Sequence, residues 1–428
     1  MQFHIQNLTV VLLIAAAVAM LTRRLRLPYS VGLVAAGIVV AIFPLGARFS
    51  LNREIIYTAL LPPLLFEAAY HLRLKHLLEN WPPITMLATL GVLLSAFVTA
   101  AGMHFLAGWE WIAASLLGVL IAATDTVSVV AIFKEAGIRG RLLFLVEGES
   151  LLNDGAAAVC LGLAVAFATG RFPSPFEIGF LALKVVLGGI LCGAAVAIVT
   201  LYLSGRTTDH LVELTFTTVA AYGSFLLADH FGMSGVLATI TAGLVISNRA
   251  RPEAISDSGV QAIESFWEFA AFVSNSIIFI LIGIHETRQN FLAIWIPALI
   301  AIALSVVSRA AAVYPLNLAF HWTRYRVSFK HQHILFWGGF RGALALALAL
   351  GLPVDLPMRE QIVAICFAVV AFSVFVQGLS MTPLLRRLGE IPHPTMPVNH
   401  PESKRQGECE ASSPLLRLSR HSDSVNTP

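Results

Sequence analysis

The 428-residue chain is 57% hydrophobic and only 12% charged, with a mean hydropathy of +0.78. Soluble domains carry about 25% charged residues, so this composition excludes a chain whose whole surface faces water. The net charge of +3 at pH 7 comes from short basic clusters between apolar segments, a placement that does not indicate a nucleic-acid partner.

Thirteen apolar segments, each a candidate membrane-spanning helix, follow one another along the chain. We predict spans near residues 7–22, 29–44, 53–70, 77–106, 110–133, 141–169, 176–204, 209–229, 233–247, 260–284, 290–321, 331–351 and 359–385. The second and ninth are short, which predicts half-crossing or steeply oriented helices. The fold expected is therefore an all-α polytopic membrane protein. Residues 1–388 form its transmembrane domain, and the polar, aromatic-free residues 389–428 form a disordered cytoplasmic tail.

The distribution of basic residues predicts the orientation. The first apolar segment ends in Arg23 and Arg24, which indicates an uncleaved first span with its N-terminus outside. Of the 28 lysines and arginines, twenty fall on one side of the predicted spans, five on the other and three within spans. Because basic loops stay inside, we expect the N-terminus outside and the C-terminus in the cytoplasm of a multi-pass protein in a cell membrane, the inner one in bacteria.

Cysteine motifs and a nucleotide-binding loop are both absent from the sequence. The four cysteines include no C-x-x-C pair, so neither a cysteine metal site nor a disulfide framework is indicated. Gly-x-x-x-x-Gly-Lys-Ser/Thr does not occur, which excludes ATP-driven transport by this chain alone. We therefore predict no cofactor.

Acidic residues inside apolar spans are the first candidates for chemistry, because a carboxylate at mid-bilayer costs roughly 2.5–3.5 kcal/mol and persists for a functional reason. Asp125 in span five is flanked by Thr124, Thr126 and Ser128. Small and hydroxylated neighbours favour a locally unwound helix whose carbonyl and hydroxyl oxygens join the carboxylate as ligands. An aspartate that merely caps a kinked helix is the alternative.

Span six carries Glu149, Ser150, Asn153 and Asp154. Asp154 lies near the middle of this span, and Ser150 lies one turn earlier on the same face, so both point to one site with Asn153 beside them. Glu149 is rotated off that face and requires a cation of its own. A structural Asp154, bonded to a neighbouring helix, is the alternative reading.

Span three carries Glu67 one turn after Pro62-Pro63, which interrupt the backbone hydrogen-bond ladder. Glu67 lies nearer the end of its span, so a side chain that reaches towards the membrane interface is the alternative to a site role.

Two arginines, Arg309 and Arg341, also fall inside spans. One of them should pair with Glu149, because an unpaired buried charge is far costlier than a paired one. Glycines around Arg341 predict that span twelve is broken, and that Arg341 compensates exposed carbonyl ends there.

These acids suggest a mechanism. Hard monovalent cations are held by carboxylate, hydroxyl and carbonyl oxygens, which Asp125, Asp154, Ser150 and Thr124 could supply. A carboxylate in a low-dielectric site can be protonated near neutral pH when no cation is bound. One aspartate that binds either a proton or a cation, but never both, is sufficient to exchange them.

The same residues carry a family resemblance. The chain resembles the monovalent cation:proton antiporters, in the electroneutral sodium/proton exchanger branch. The matching pieces occur in family order and are Leu61–Ala68, Ala123–Asp125, Gly148–Gly155, Phe266-Trp267-Glu268, Asn275-Ser276, Arg309 and Gly338–Ala343.

The resemblance implies two inverted repeats, crossed broken helices at spans five and twelve, and a homodimer in which a core domain slides against a dimerisation domain in the lipid. It implies Na+ and Li+ as cations exchanged for H+, and no enzyme activity. The site residues that it implies are the exchanging carboxylate of Asp154, with Asp125, Ser150, Thr124, Asn153 and Glu67 in or beside the cation site.

The resemblance also favours Arg309 over Arg341 as the partner of Glu149. Asn153 before Asp154 marks the electroneutral branch. One departure is Thr126, where the family often has proline, so the unwinding at Asp125 would depend on hydroxyl groups.

Three other functions stay open at this stage. A K+/H+ antiporter of the same fold differs only in the size of its site. A passive cation channel would conduct without proton coupling. An intramembrane aspartyl protease would use Asp125 and Asp154 as a proton-sharing dyad, but Asp154 follows Leu152-Asn153 and not the Gly-x-Gly that such proteases carry.

Overall fold

A computed structural model describes residues 5–25, 27–42, 55–138, 140–170, 174–249, 255–286, 291–353 and 355–391. Within these residues every regular element is a helix, and seven helices are long and apolar enough to cross a membrane by length and composition. The predicted tail lies outside the described residues from residue 392 onward, as do several of the loops that carry basic residues.

The helices follow the predicted apolar segments in order. The first eight are α1 (Ile5–Leu25), α2 (Tyr29–Ile42), α3 (Leu61–His71, preceded by a π-helical turn Ile55–Leu60), α4 (Leu74–Glu79), α5 (Trp81–Ala107), α6 (Trp111–Ala122), α7 (Thr126–Glu135) and α8 (Arg141–Ala168). They continue with α9 (Pro175–Ser204), α10 (His210–His230), α11 (Gly235–Arg249), α12 (Asp257–Glu286), α13 (Phe291–Leu318), α14 (Phe329–Trp337), α15 (Ala343–Leu350) and α16 (Arg359–Arg387). How many of these segments cross the bilayer stays a prediction.

Two of the predicted spans are interrupted. Span five divides into α6 and α7 around residues 123–125, and span twelve divides into α14 and α15 around residues 338–342. Gly342, just before α15, has extended backbone angles (φ −151°, ψ −146°), which no helix can contain. Buried aliphatic side chains of α6 and α15 join the largest apolar cluster of the described residues, so both interruptions lie inside the protein.

Glycines allow two helix pairs to pack with their backbones in contact. A Cβ atom on Gly37 of α2 would overlap the carbonyl oxygen of Ile280 on α12, and one on Gly283 would overlap that of Val34. Gly193 of α9 meets the carbonyl of Ala238 on α11 in the same way. Small residues at such crossings are the usual basis of helix packing within membranes.

A buried acid that the sequence did not single out lies at the beginning of α12. Glu213 on α10 is 1% exposed, and it accepts hydrogen bonds from the backbone N–H (3.0 Å) and the hydroxyl (2.8 Å) of Ser256. A carboxylate at a helix N-terminus compensates the unpaired N–H groups there. Glu213 therefore has a structural role, joining α10 to α12.

Candidate functional site

The two interrupted spans contact each other at their interruptions. The backbone N–H of Asp125 donates to the carbonyl oxygen of Phe340 at 2.7 Å. From the same segment, Nη1 of Arg341 donates to the carbonyl oxygens of Ala122 (3.0 Å) and Ala123 (3.2 Å). The last carbonyls of a helix have no partner within it. Arg341 thus compensates carbonyl ends, but they belong to α6, whereas the sequence pointed to those of its own span.

A small cavity lies where the interruptions meet. Its volume is about 30 Å³, measured as the space open to the centre of a water molecule. The walls include Ala123–Asp125, Asp154 and Gly342–Ala345, and α3 closes one side with leucines. A cavity needs roughly 10–15 Å³ by this measure to hold one water, so there is room for a small ion or a water molecule or two.

Two carboxylates line this cavity, those of Asp125 and Asp154. Asp154 is 6% exposed, and among the described residues no hydrogen-bond donor reaches its Oδ1 atom. An isolated buried carboxylate oxygen is costly unless a proton or a cation is bound to it. The geometry thus provides an oxygen that can hold one or the other.

Hydroxyl and amide groups hold the cavity wall at Thr124. Ser150 Oγ donates to the Thr124 carbonyl oxygen at 2.9 Å, and the Thr124 hydroxyl donates back to Ser150 Oγ at 3.2 Å. Nδ2 of Asn153, which is fully buried, donates to Thr124 Oγ1 at 2.5 Å. Thr124 is part of the cavity wall, while Ser150 and Asn153 lie behind it and fix its conformation.

Glu149 and Arg309 form a buried ion pair next to this network. Nη1 and Nη2 of Arg309 donate to the two carboxylate oxygens of Glu149 at 2.7 and 2.6 Å. Nη2 also donates to the carbonyl oxygen of Leu335, one of the last in α14, at 3.0 Å. Two parallel bonds to one carboxylate are the strong form of this interaction. Arg309, and not Arg341, is the cation that Glu149 contacts.

Glu67 is not brought to the cavity. The face of α3 that lines it consists of Leu61, Leu64, Leu65 and Ala68. Oε1 of Glu67 lies 3.3 Å from Nδ1 of His71, one turn further along the same helix. Glu67 is therefore not among the residues that line the cavity.

Sequence reasoning missed Ser373 and Gln377 on α16. Ser373 Oγ accepts the backbone N–H of Arg341 at 3.1 Å. Ser373 is 1% exposed and Gln377 is 5% exposed. The available signal was a hydroxyl and an amide four residues apart within an otherwise apolar span, a spacing that puts both on one helix face.

Gly342 offers a test of how tightly Asp125 is held. A Cβ atom there would lie 2.5 Å from both Cγ and Oδ2 of Asp125. We expect Gly342→Ala to lower the stability by about 1–3 kcal/mol through overpacking, visible as a lower unfolding temperature of the purified protein. Gly162→Ala is the matched control, because a Cβ atom there meets nothing within 4 Å and alanine favours a helix. Equal unfolding temperatures for the two variants would contradict the packing described.

Comparison with known proteins places the chain in a family. The profile of the family described as "Sodium/hydrogen exchanger, transmembrane" matches residues 9–387. The chain is 36% identical over 370 residues to the Na(+)/H(+) antiporter ApNhaP of Aphanothece halophytica, which covers 86% of this chain and 70% of the relative. It is also 36% identical over 392 residues to the Na(+)/H(+) antiporter NhaG of Bacillus atrophaeus. That alignment covers 89% of this chain and 74% of the relative.

A solved structure shares the fold. The sodium proton antiporter MjNhaP1 from Methanocaldococcus jannaschii superposes with a TM-score of 0.73 at 19% identity, over 90% of this chain and 98% of that one. On the family profile and these relatives, the chain belongs to the sodium/hydrogen exchanger family, whose members are multi-pass membrane transporters and not enzymes.

Proposed function

We propose that the protein is a secondary antiporter that exchanges Na+, and also Li+, for H+ across a cell membrane by alternating access. The observation that carries this proposal is the buried cavity lined by two carboxylates, where Oδ1 of Asp154 has no donor among the described residues. A group that binds either ion in the same place, but never both, is sufficient for antiport. The names of the relatives, which are Na(+)/H(+) antiporters, support sodium as the cation.

Asp154 is the carrier in this proposal. When Na+ enters the cavity, the carboxylates of Asp154 and Asp125 and the oxygens of Thr124 replace part of its hydration shell. When Na+ leaves, a proton neutralises Asp154, because a bare carboxylate in this cavity would be strongly disfavoured. One proton then replaces one cation, and the exchange is electroneutral.

Ser150 and Asn153 act through Thr124. Their hydrogen bonds fix the threonine at the cavity wall, so its oxygens do not have to be reorganised when the cation arrives. The ion pair of Glu149 with Arg309 stays intact throughout and anchors α13 to α8. Glu67 is left outside the ligand set, because α3 presents leucines to the cavity.

The remaining architecture belongs to the same proposal. Thirteen spans in two inverted repeats would place the N-terminus outside and the C-terminus in the cytoplasm. A core domain with the two interrupted spans would slide against a dimerisation domain of a homodimer, in a bacterial inner membrane.

The experiment that tests this function measures proton movement in inverted membrane vesicles. Addition of Na+ or Li+ should collapse a pre-formed pH gradient in vesicles that contain the protein, and not in vesicles without it. A K+ arm decides between a sodium and a potassium antiporter, and current without proton movement would indicate a channel. Failure of all three cations to move protons would contradict the proposed function.

A further inference from the structure

The last helix, α16, contacts the interrupted span α14–α15 on both sides of its interruption. Ser380 Oγ of α16 accepts the indole N–H of Trp337, and other polar side chains of α16 form hydrogen bonds with backbone groups of the span. Such groups matter here because the bilayer interior offers no water to satisfy an interrupted helix.

The end of α14 shows how completely this requirement is met. Its last four carbonyl oxygens have no partner within an α-helix. Those of Ile334 and Phe336 accept the N–H groups of Gly338 (2.7 Å) and Gly339 (3.5 Å), and that of Leu335 accepts Arg309. The fourth, of Trp337, accepts Nε2 of Gln377 at 3.4 Å. Gln377 thus provides the one side chain of α16 in this set.

The other side of the interruption depends on Ser373. The N–H of Arg341 precedes α15 and donates to Ser373 Oγ at 3.1 Å. The Ser373 hydroxyl in turn donates to Oε1 of Gln377 at 2.5 Å. A single pair of side chains therefore connects the carbonyl at the end of α14 to the N–H before α15, across the residues that interrupt the span.

The helix α16 departs from α-helical conformation at the position of this pair. Residues Ser373–Gln377 form a π-helical turn inside an otherwise α-helical segment. Such turns are rare and occur frequently at functional sites. The turn begins at one member of the pair and ends at the other.

The start of α16 holds the far end of α15. Nε and Nη2 of Arg359 donate to the carbonyl oxygens of Leu352 (2.9 Å) and Leu350 (3.1 Å). A cation at the C-terminus of a helix is favourable by charge as well as by hydrogen bonding. The short helix α15 is therefore attached to α16 at both of its ends.

The segment that α16 holds is also the segment that shapes the cavity. The side chain of Arg341 binds the carbonyls of Ala122 and Ala123, and Gly342 packs directly on the carboxylate of Asp125. A shift of a few tenths of an ångström in the Arg341 backbone would therefore move both the Asp125 contact and the α6 end. Nothing else in the proposed site is attached to α16 in this way among the described residues.

We propose that Ser373 and Gln377 are positioning residues, which hold the interruption of α14–α15 in place and thereby set the distance between Gly342 and the two carboxylates of the cation cavity. Neither side chain lines the cavity. Their influence on cation affinity rests on the proposed function, whereas their influence on the backbone at residues 338–346 does not.

The test uses the full-length protein with Ser373→Ala, Gln377→Met and the double variant. Val376→Ala is the matched control, because Val376 belongs to the same π-helical turn but is 46% exposed. Amide hydrogen exchange of the purified protein is measured first. We expect faster exchange within residues 338–346 in both single variants and no change in the control, since the Arg341 N–H and the Trp337 carbonyl lose their partners.

The transport readout is the Na+ concentration that gives half-maximal exchange in vesicles. We expect it to rise about tenfold in each single variant, the size of effect that follows from a lost buried hydrogen bond. In the double variant the half-saturating Na+ concentration should also rise about tenfold and not a hundredfold, because the two side chains form one network. The maximal rate should change less than the half-saturating concentration.

Two results would overturn the proposal. Unchanged hydrogen exchange at residues 338–346 in Gln377→Met and Ser373→Ala would show that the pair does not hold the interruption. Faster exchange with an unchanged half-saturating Na+ concentration would show that the interruption does not set the cavity. If Ser373→Ala does not fold, Gln377→Met tests the same network alone. Wild-type vesicles without Na+/H+ exchange would contradict the proposed function, and the hydrogen-exchange comparison would still decide the structural part.

Discussion

Asp154→Asn is expected to abolish cation/proton exchange while the folded protein is retained. The asparagine has the same shape but can neither lose a proton nor offer a negative charge to a cation. The side chain is buried, and the cavity has room for a water molecule, but water carries no charge and cannot take over the role of the carboxylate. In vesicles, addition of Na+ should leave a pre-formed pH gradient intact.

Two controls make this result specific. The purified variant should unfold at the wild-type temperature or above it, because a neutral amide is less costly to bury than an unpaired carboxylate. Asp229→Asn makes the same change at an exposed position and should exchange ions normally. Full exchange activity in Asp154→Asn would exclude Asp154 as the carrier.

The second large effect is expected at the Glu149–Arg309 pair. Removal of one partner from a buried ion pair leaves an uncompensated charge and costs about 3–5 kcal/mol. Arg309→Met should therefore lower the unfolding temperature strongly, since Glu149 is 2% exposed and the carbonyl of Leu335 loses its donor as well. Glu149→Gln leaves Arg309 without its counter-charge but should be milder, because the amide oxygen still accepts one hydrogen bond and the Leu335 carbonyl keeps its donor.

A double variant separates charge from packing. Glu149→Gln with Arg309→Met buries no net charge, so we expect it to recover a large part of the stability lost in Arg309→Met. Arg206→Met removes an exposed arginine whose guanidinium lies over the Tyr202 ring, and it should change the stability by less than about 1 kcal/mol. A double variant as unstable as Arg309→Met would show that packing around Arg309, and not the buried charge of Glu149, determines the loss.

The sequence predicted the position of the helices well, because apolar length is a strong signal in a membrane protein. It also predicted both interruptions. Hydroxylated neighbours marked the one at Asp125, where α6 ends at Ala122, and glycines marked the one before Arg341, where α14 ends at Trp337. Hydroxylated residues and glycines, which lower the free-energy cost of interrupting a helix inside a membrane, can be recognised in a sequence without any knowledge of tertiary contacts.

The arrangement of polar side chains was only partly predictable. Ser150 and Asp154 share a face by helical spacing, and that face does turn towards Asp125. Helical spacing cannot say which residue of a neighbouring helix lies opposite. Glu67 and Leu64 are three residues apart on α3, yet only the leucine lines the cavity.

Contacts between residues far apart in the chain account for the polar arrangements that the sequence did not predict. The Arg341 side chain binds carbonyls more than two hundred residues earlier in the chain, and Ser373 on α16 accepts the Arg341 N–H across a separation of 32 residues. The sequence shows that a buried cation needs a partner, but it does not show which one. The free-energy cost of desolvating the cation is the same whichever residue pairs with it. The choice of Arg309 for Glu149 came from the family resemblance and not from spacing.

The measurement that tests the central proposal most directly is the affinity for Na+ at a series of pH values. Calorimetric titration of the purified protein between about pH 6 and 8.5 would follow the competition without any contribution from transport rates. If one proton excludes one cation at Asp154, the apparent Kd for Na+ should rise as the pH falls, by up to about tenfold per pH unit. A Kd for Na+ that stays constant over this range would contradict a carboxylate shared between the two ions.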